Sequence, residues 1–489
     1  MFCFGLFFSL IVAVASGSGL TIYNQNFAVV RDSVALDLKV GENDVVFDGA
    51  TVQLEPDSVI LRDPAGNSFQ IFEQNYRNDP ISQGLLLSLF EGKEIDFSRT
   101  EQDGKETVFR GKIIRSGYMM SQRNMYGDYV TSSEPIIEVD GKVQFGLPGK
   151  PIFPSLGDDT ILKPRLAWKI RSDADLKIDA ELNYITGGLS WQASYNAVAA
   201  ENVDTLDLIG WVTMNNQCGR NFDDANIKLM AGDVSKIRSN KMDNDMRGRI
   251  VGFSTSRAAS DSYAPVVTEK TFDEYHLYTL SRPTTLRDKE TKQVEFVRAS
   301  GIKAKTVYVY DGMLVDWQRY GGNNPTYIRD NEEFGSQSQT KVAVMKEFEN
   351  TKENGLGIPL PKGRLRFYRA DGESLEFTGE NEIDHTPADE TMRIYTGNAF
   401  DLVGARKRTD FQMRHDERWC SESFEIKVSN RKKEPVTVRI VEHLFRWTQW
   451  KIISSSEDFV KNSSTEIVFE QEIPAGEKKT VTYKVEYTW

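Results

Sequence analysis

Hydrophobic and polar residues alternate with a period of two along much of the chain. The clearest apolar face belongs to the C-terminal segment and carries Val481, Tyr483, Val485, Tyr487 and Trp489. Residues 34–40 and 424–428 follow the same rule, and turn sequences such as Asp140-Gly141 and Asp371-Gly372 separate such stretches. One apolar and one polar face is typical of antiparallel sheets. The pattern predicts an all-β protein built from multi-domain, immunoglobulin-like antiparallel β-sandwiches.

Breaks in the pattern divide the chain into segments. Its 489 residues are too many for one hydrophobic core, so about two to four domains are expected. Four prolines and three glycines in residues 146–164 predict a connection without sheet structure. A short helix is expected at residues 85–90. The predicted segments are a signal peptide at 1–15, N-terminal sandwich strands at 20–84, a small five-stranded SH3-like barrel insertion at 85–145, the connection at 146–164, a central sandwich at 165–345 with a mobile loop at 236–264, and a C-terminal sandwich at 346–489.

The first fifteen residues favour export. Residues 4–15 are almost wholly apolar, which is the length of a signal-peptide core and too short to span a bilayer. Ala13-Val14-Ala15 resembles a cleavage site, although no Lys or Arg precedes the apolar run. We therefore expect cleavage near Ala15 and a periplasmic or extracellular protein without a transmembrane span. The alternative is a buried N-terminal strand.

The amino-acid composition limits the kinds of partner that the protein is expected to bind. Aromatic residues reach 11%, which suits half-buried sheet surfaces. The formal net charge of −12 argues against nucleic acid, because phosphate backbones repel an acidic chain. After cleavage two cysteines remain, Cys218 and Cys420. Export permits a bridge between them, and two separate buried thiols are the alternative.

No motif in the chain indicates catalysis. There is no G-x-S-x-G elbow, no H-E-x-x-H helix and no phosphate-binding glycine loop, and the four histidines are far apart in sequence. The 72 acidic residues leave a glycosidase-like carboxylate pair open without pointing to one. The sequence therefore indicates no catalytic residue, no cofactor and no metal ligand set.

Three acidic clusters are weak candidates for a binding or catalytic site. Carboxylates lie beside a histidine at Glu380, Glu382, Asp384 and His385, where a polar hairpin loop between Phe377 and Ile394 is the simpler explanation. Asp243-Asn244-Asp245 with Gly248 is a poor match to a calcium loop. Asp223-Asp224 is expected to form a turn between two strands.

Two tryptophans offer a binding surface instead. Trp447 and Trp450 have opposite parity on a strand predicted at residues 444–452. One ring is then either a platform for a sugar or partner, or covered by a neighbouring domain. The second arrangement, in which both rings are covered, is favoured.

Several segments together resemble an exported bacterial family, domain of unknown function 4139, which is related to mucoidy-inhibitor-like proteins. The segments are residues 187–195, which begin Gly187-Gly188-Leu189-Ser190-Trp191, then 206–234, 277–296, 355–372, 377–402 and 441–452. The resemblance implies β-sandwich domains and an envelope or extracellular location, with no established activity and no catalytic residues. The chain lacks the N-terminal coiled-coil helices of the mucoidy-inhibitor-like relatives.

These observations predict a non-catalytic protein of the cell envelope or exterior that binds a protein partner or an envelope polymer through its β domains. The alternative is a carboxylate-dependent hydrolase acting on glycan or peptide, with its acidic residues gathered only in space. An assembly scaffold is a third hypothesis.

Overall fold

Strands make up most of the chain. The structure, a computed structural model, describes residues 10–13, 15–78, 82–100, 104–118, 134–154, 163–200, 204–232, 234, 236, 267–272, 275–320 and 325–489. The strands are β1 (Leu10–Ala13), β2 (Ala15–Tyr23), β3 (Phe27–Leu38), β4 (Gly41–Asp48), β5 (Ile60–Arg62), β6 (Gln70–Arg77), β7 (Glu94–Thr100), β8 (Glu106–Arg115), β9 (Ile136–Val139), β10 (Lys142–Phe145), β11 (Lys150–Ile152), β12 (Arg165–Ser172), β13 (Leu176–Gly187), β14 (Leu189–Ala199), β15 (Thr205–Asn216), β16 (Phe222–Ala231), β17 (Val267–Phe272), β18 (Tyr275–Leu280), β19 (Thr284–Leu286), β20 (Thr291–Lys303), β21 (Lys305–Asp311), β22 (Lys341–Glu349), β23 (Gly363–Asp371), β24 (Ser374–Ile383), β25 (Thr391–Arg414), β26 (Trp419–Asn430), β27 (Val436–His443), β28 (Trp450–Ser455), β29 (Val460–Lys461), β30 (Glu466–Ile473) and β31 (Lys478–Thr488). The helices are α1 (Gln83–Leu89), α2 (Trp317–Tyr320) and α3 (Pro325–Asp330), with short 3-10 turns at Pro56–Ser58 and Lys352–Asn354. The predicted all-β fold is confirmed.

The chain forms two compact units. Unit 1 comprises Met1–Ser190, Asn215–Leu229 and Arg282–Thr291, and unit 2 comprises Trp191–Met214, Met230–Ser281 and Lys292–Trp489. Each unit therefore gathers three separate stretches. The predicted segments follow chain order instead, so their bounds stay predictions, and residues 237–264 of the predicted mobile loop lie outside the described part.

Unit 1 holds two facing sheets. One has the strand order β1-β4-β12-β6, and β2, β3, β13 and β5 neighbour one another in the second. The guanidinium of Arg220, which precedes β16, lies 5.9 Å from the ring of Phe47 on β4. On β3 the alternation is confirmed, since Val34 and Leu36 are buried. Val40 is exposed because the strand ends at Leu38.

The predicted leader overlaps two strands. Residues 10–13 form β1, which pairs in parallel with β4, and β2 begins at Ala15. A strand here was the alternative to a signal peptide, and residues 1–9 lie outside the described part. Export therefore stays a prediction. Among the helices that the structure describes, none combines the length and the apolar character needed to cross a membrane.

A third sheet of unit 1 occupies the predicted barrel insertion. Its order is β10-β9-β8-β7-β11, and the terminal strands β10 and β11 do not pair with each other, so the sheet is open and the expected SH3-like closure is wrong. Helix α1, which confirms the short helix expected near residues 85–90, covers this sheet through Leu87. The helix begins where Ser82 Oγ accepts a hydrogen bond from the Leu85 N–H at 3.1 Å.

Part of the glycine- and proline-rich connection lies in a sheet. Residues 150–152 form β11, although a stretch so rich in backbone breakers was expected to lie outside any sheet. Pro151 is accommodated because β11 is the terminal strand of its sheet, where a missing N–H removes no bond to a further strand.

Unit 2 contains a five-stranded and a nine-stranded sheet. The five-stranded sheet has the order β20-β15-β14-β23-β24, with β14 and β23 parallel. The nine-stranded sheet has the order β28-β31-β26-β25-β22-β21-β27-β30-β29. Although β30 and β31 lie far apart in that order, the rings of Phe469 and Tyr483 are 5.9 Å apart. The nine-stranded sheet therefore folds back on itself as a sandwich, and the predicted apolar face of β31 is buried inside it.

A buried ion pair lies between the two halves of this sandwich. The Arg406 guanidinium on β25 donates from Nε to both carboxylate oxygens of Glu442 on β27, at 2.9 Å each. Glu442 also accepts a hydrogen bond of 2.5 Å from the Tyr483 hydroxyl on β31. Burial raises the pKa of Tyr483, and the adjacent carboxylate adds to the effect. Arg406 Nη1 donates to the Gly335 carbonyl at 2.6 Å, which ties the segment between β21 and β22 to the sandwich.

A second buried pair repeats this arrangement. Arg446 Nη2 donates to Glu422 Oε1 at 2.9 Å and to the Phe334 carbonyl, and its Nη1 donates to the carbonyls of Arg329 and Asn331. Arg408 donates to the same Glu422 oxygen at 3.1 Å. Both arginine pairs thus hold the end of α3 and the residues that follow it against the nine-stranded sheet.

Both cysteines of the described chain are free and buried. Burial raises the pKa of Cys218 to about 11 and that of Cys420 to about 12. Of the two alternatives from the sequence, the structure has separate buried thiols.

Replacing Arg406 by Met tests the first ion pair. The substitution leaves Glu442 charged and buried without its cation, so we expect a loss of about 3–5 kcal/mol in the free energy of unfolding, measured by chemical denaturation. The double variant Arg406→Met/Glu442→Leu should lose less, because no charge is then left unpaired. Arg414→Met, on the same strand in an exposed pair with Glu417, is the control and should cost at most about 1 kcal/mol. An Arg406 variant as stable as the control would contradict this prediction.

A reductant should leave stability unchanged. Because Cys218 and Cys420 are not bridged, the denaturation midpoint should be the same with and without dithiothreitol. A thiol reagent should label both only after unfolding, since burial keeps them protonated and shielded. A midpoint that falls on reduction would show that the two cysteines are bridged.

Candidate functional site: two polar cavities along strand β23

The first half of β23 borders an open cavity of about 620 Å³, called here the arginine cavity. Its charged lining residues are Lys362, Arg364, Arg366, Glu380 and Glu382, and its uncharged polar ones are Gln192, Ser194, Thr213, Gln293 and Asn381. The side chains come from β14, β15, β20, β23 and β24 of the five-stranded sheet. Period-two alternation explains their grouping, because Leu365 and Phe367 turn to the core and the intervening residues turn away.

Cross-strand pairing orders the charges of this cavity. In the antiparallel register Arg364 faces Glu382 and Arg366 faces Glu380. Arg366 Nε lies 3.4 Å from Glu380, whereas Glu382 lies 3.3 Å from Lys362 Nζ instead of pairing with Arg364. Two residues further along β23, Tyr368 and the exposed Phe377 form an edge-to-face ring pair with centroids 5.8 Å apart. Along β23, the pair formed by β23 and β24 thus presents charged side chains at Arg364 and Arg366 and then aromatic rings at Tyr368 and Phe377.

The second half of β23 borders a larger cavity of about 890 Å³, called here the lysine cavity. Its cationic residues are Lys346, Arg369 and Lys432, its acidic ones are Asp204, Asp401 and Glu434, and its aromatic ones include Tyr308, Tyr368 and Phe400. Both sheets of unit 2 contribute.

Two lysines give this cavity its electrostatic character. Lys346 Nζ donates to Thr306 Oγ1 at 2.8 Å, its direct neighbour across β21 and β22. Burial lowers the pKa of Lys346; Asp204 opposes this effect and Arg369 adds to it. Lys432 Nζ donates to the Tyr308 hydroxyl at 2.7 Å. Burial works against the charge of Lys432, yet the bond to Tyr308 raises its pKa.

The predicted carboxylate–histidine cluster is only partly brought together. Glu380 and Glu382 lie on β24 and line the arginine cavity, so they belong to a strand and not to the hairpin loop that was expected. Asp384 accepts a hydrogen bond from the His385 backbone N–H at 2.8 Å, and His385 Nδ1 accepts one from the Lys362 N–H at 3.2 Å. The last two residues therefore shape the chain after β24.

The other two predicted acidic clusters are not among the residues that line either cavity. Asp223 and Asp224 lie inside β16 at a bulge opposite β19, with Asp224 at φ 47°, so the expected turn between two strands is wrong. The Asp224 N–H donates to Thr285 Oγ1 at 3.1 Å. Residues 243–248 lie outside the described part. Across the residues that the structure does describe, no group of three or more His, Cys, Asp or Glu is arranged to hold a metal ion.

The two tryptophans do not share a strand. Strand β27 ends at His443 and β28 begins at Trp450, so the parity argument for residues 444–452 is wrong. Both rings are half-buried against the core of the nine-stranded sheet. Arg329 lies 5.4 Å from the Trp447 ring and Lys461 lies 4.5 Å from the Trp450 ring, as cation–π contacts.

Sequence reasoning missed a histidine cluster because its members come from three strands. His443 Nε2 lies 2.9 Å from Asp311 Oδ2, and its Nδ1 lies 3.7 Å from Glu466. Phe445 stacks on the imidazole with centroids 4.8 Å apart. The hydrogen bond to Asp311 raises the pKa of His443, burial opposes it, and the charges of Asp311, Glu466 and Glu442 add to the increase.

The raised pKa predicts a pH-dependent stability. A histidine whose pKa is higher in the folded state stabilises fully below its unfolded pKa of about 6.5, and this contribution is lost as the pH rises through the folded pKa. The stability difference between the wild type and His443→Gln should therefore shrink as the pH rises from about 6.5 upward, as measured by denaturant titration. A difference that stays constant over this range would contradict the assignment.

Comparison with known proteins adds no assignment to this geometry. A scan against protein-family models matches none, and a search of curated proteins finds no match. The resemblance to the domain of unknown function 4139 family therefore stays a prediction.

Proposed function

We propose that this protein is an exported, non-catalytic binding protein that holds a surface polymer, with a saccharide chain as the best fit, in the cavities along β23. The lysine cavity carries this proposal. Its volume of about 890 Å³ lies within the usual range of ligand pockets, about 300–1,000 Å³. It combines the aromatic rings of Tyr308 and Tyr368 with hydroxyl, amide and ammonium groups. Rings stack on the apolar face of a sugar, and the polar groups bind its hydroxyls.

The paired carboxylates of the arginine cavity favour binding over catalysis there. A hydrolase excludes water and aims a free carboxylate at the scissile bond. Here Glu380 is paired with Arg366 and Glu382 with Lys362. Such paired carboxylates are poorly placed to exchange protons with a substrate. A hydrolase acting on glycan or peptide remains the alternative that the experiment below detects.

The proposed location rests on the sequence. The apolar run at residues 4–15 is typical of a leader, and the resemblance described above implies the envelope or exterior. An envelope polymer or a protein of that compartment is then the ligand within reach.

Affinity electrophoresis tests the proposed function. The purified protein should be retarded in gels that contain total polysaccharide extracted from the producing cells. Lys346→Met should weaken this retention about tenfold or more, because one charged hydrogen bond to the ligand is lost. Lys341→Met is the matched control, since Lys341 is exposed on the same strand outside the cavity, and it should bind as the wild type does. No retention, or shortening of the polymer by the pure protein, would overturn the proposal.

A further inference from the structure

We propose that the arginine cavity recognises a carboxylate carried on a sugar ring, so that the ligand is an acidic polysaccharide. This inference rests on the proposed function and specifies its ligand class. Arg364 is the group that would bind the carboxylate, and the amides and hydroxyls around it would bind the ring hydroxyls.

Arg364 carries the only charge in the cavity that no described side chain neutralises. Lys362 and Arg366 have their glutamate partners at 3.3 and 3.4 Å. Arg364 is exposed and makes no ion pair or hydrogen bond with any residue that the structure describes, although Glu382 faces it in the strand register. An incoming anion therefore meets a guanidinium without having to break an existing pair.

The chemistry of that free group favours a carboxylate. A guanidinium presents a planar fork of N–H donors that binds both oxygens of a carboxylate in parallel. The protein as a whole has a net charge of −12 and repels acidic polymers at long range. A specific cationic position such as Arg364 is then needed for an acidic ligand to be held.

The neighbours of Arg364 favour a sugar over an acidic peptide. Ser194 is its direct partner on parallel strand β14, and Gln192 and Asn381 also line the cavity. Gln293, which also lines the cavity, donates from Nε2 to Thr213 Oγ1 at 3.0 Å and keeps its amide oxygen as an acceptor. Such a set of donors and acceptors suits several hydroxyls. The Tyr368–Phe377 ring pair beside the cavity provides a stacking surface for the next ring.

Chemical reduction of the ligand tests this inference. The total polysaccharide of the producing cells is used before and after carbodiimide activation and borohydride reduction, which convert carboxylates to alcohols and keep the backbone. The wild type should bind the native polymer at least tenfold more tightly than the reduced one. Arg364→Gln should weaken binding of the native polymer by about 10- to 100-fold and should no longer distinguish the two polymers. Poly-glutamate should bind weakly.

The matched control removes the same charge from an exposed turn of unit 2. Arg418→Gln should bind the native polymer within about twofold of the wild type, the scatter expected when a distant surface charge is lost. Equal binding of native and reduced polymers would overturn the carboxylate inference and leave the proposed function standing. Poly-glutamate bound as tightly as the native polymer would favour an acidic peptide and also overturn it. Retention of neither polymer would overturn both proposals.

Discussion

The buried pair of Arg406 and Glu442 constrains how the nine-stranded sheet of unit 2 folds back on itself. It joins β25 to β27 across the inside of the folded nine-stranded sheet, and Tyr483 on β31 completes it. A charge taken from water is tolerated only when its partner and hydrogen bonds are all in place, so this pair is compatible with one arrangement of the three strands. The same guanidinium also fixes Gly335, so the segment beside the sheet depends on the same contact.

Unit 1 uses the same principle independently. Arg220 forms a two-fold hydrogen bond with the buried Asp32, at 2.6 and 3.0 Å, and also reaches the Tyr184 hydroxyl. Alternating apolar residues exclude a slip of one residue, which would turn the apolar face to solvent, but a slip of two residues keeps that face buried. Buried ions narrow that choice, because a shifted register would leave an uncompensated charge in the core.

The proposed binding surface has the opposite character. Along β23 the charged side chains are exposed or half-buried, and the exposed Arg364 makes no ion pair or hydrogen bond with a described residue. Their strand is held by the packing of Leu365 and Phe367 on its other side, so the polar groups are presented at fixed spacing. Groups held in place before binding lose little conformational freedom when a ligand arrives. One strand thus carries both a buried apolar face and a polar face whose spacing is set before a ligand binds.

The sequence by itself determined the all-β class and the buried faces of β3, β26 and β31, because side-chain direction alternates locally along a strand. It also indicated the short helix α1. It also placed Glu380 and Glu382 among the residues of interest. Only the tertiary structure decided that Glu382 pairs with Lys362 and not with Arg364, that Arg406 pairs with Glu442, and that β7 to β11 form an open sheet. These outcomes depend on strand order and on contacts between residues far apart in the chain, and local alternation carries no information about either.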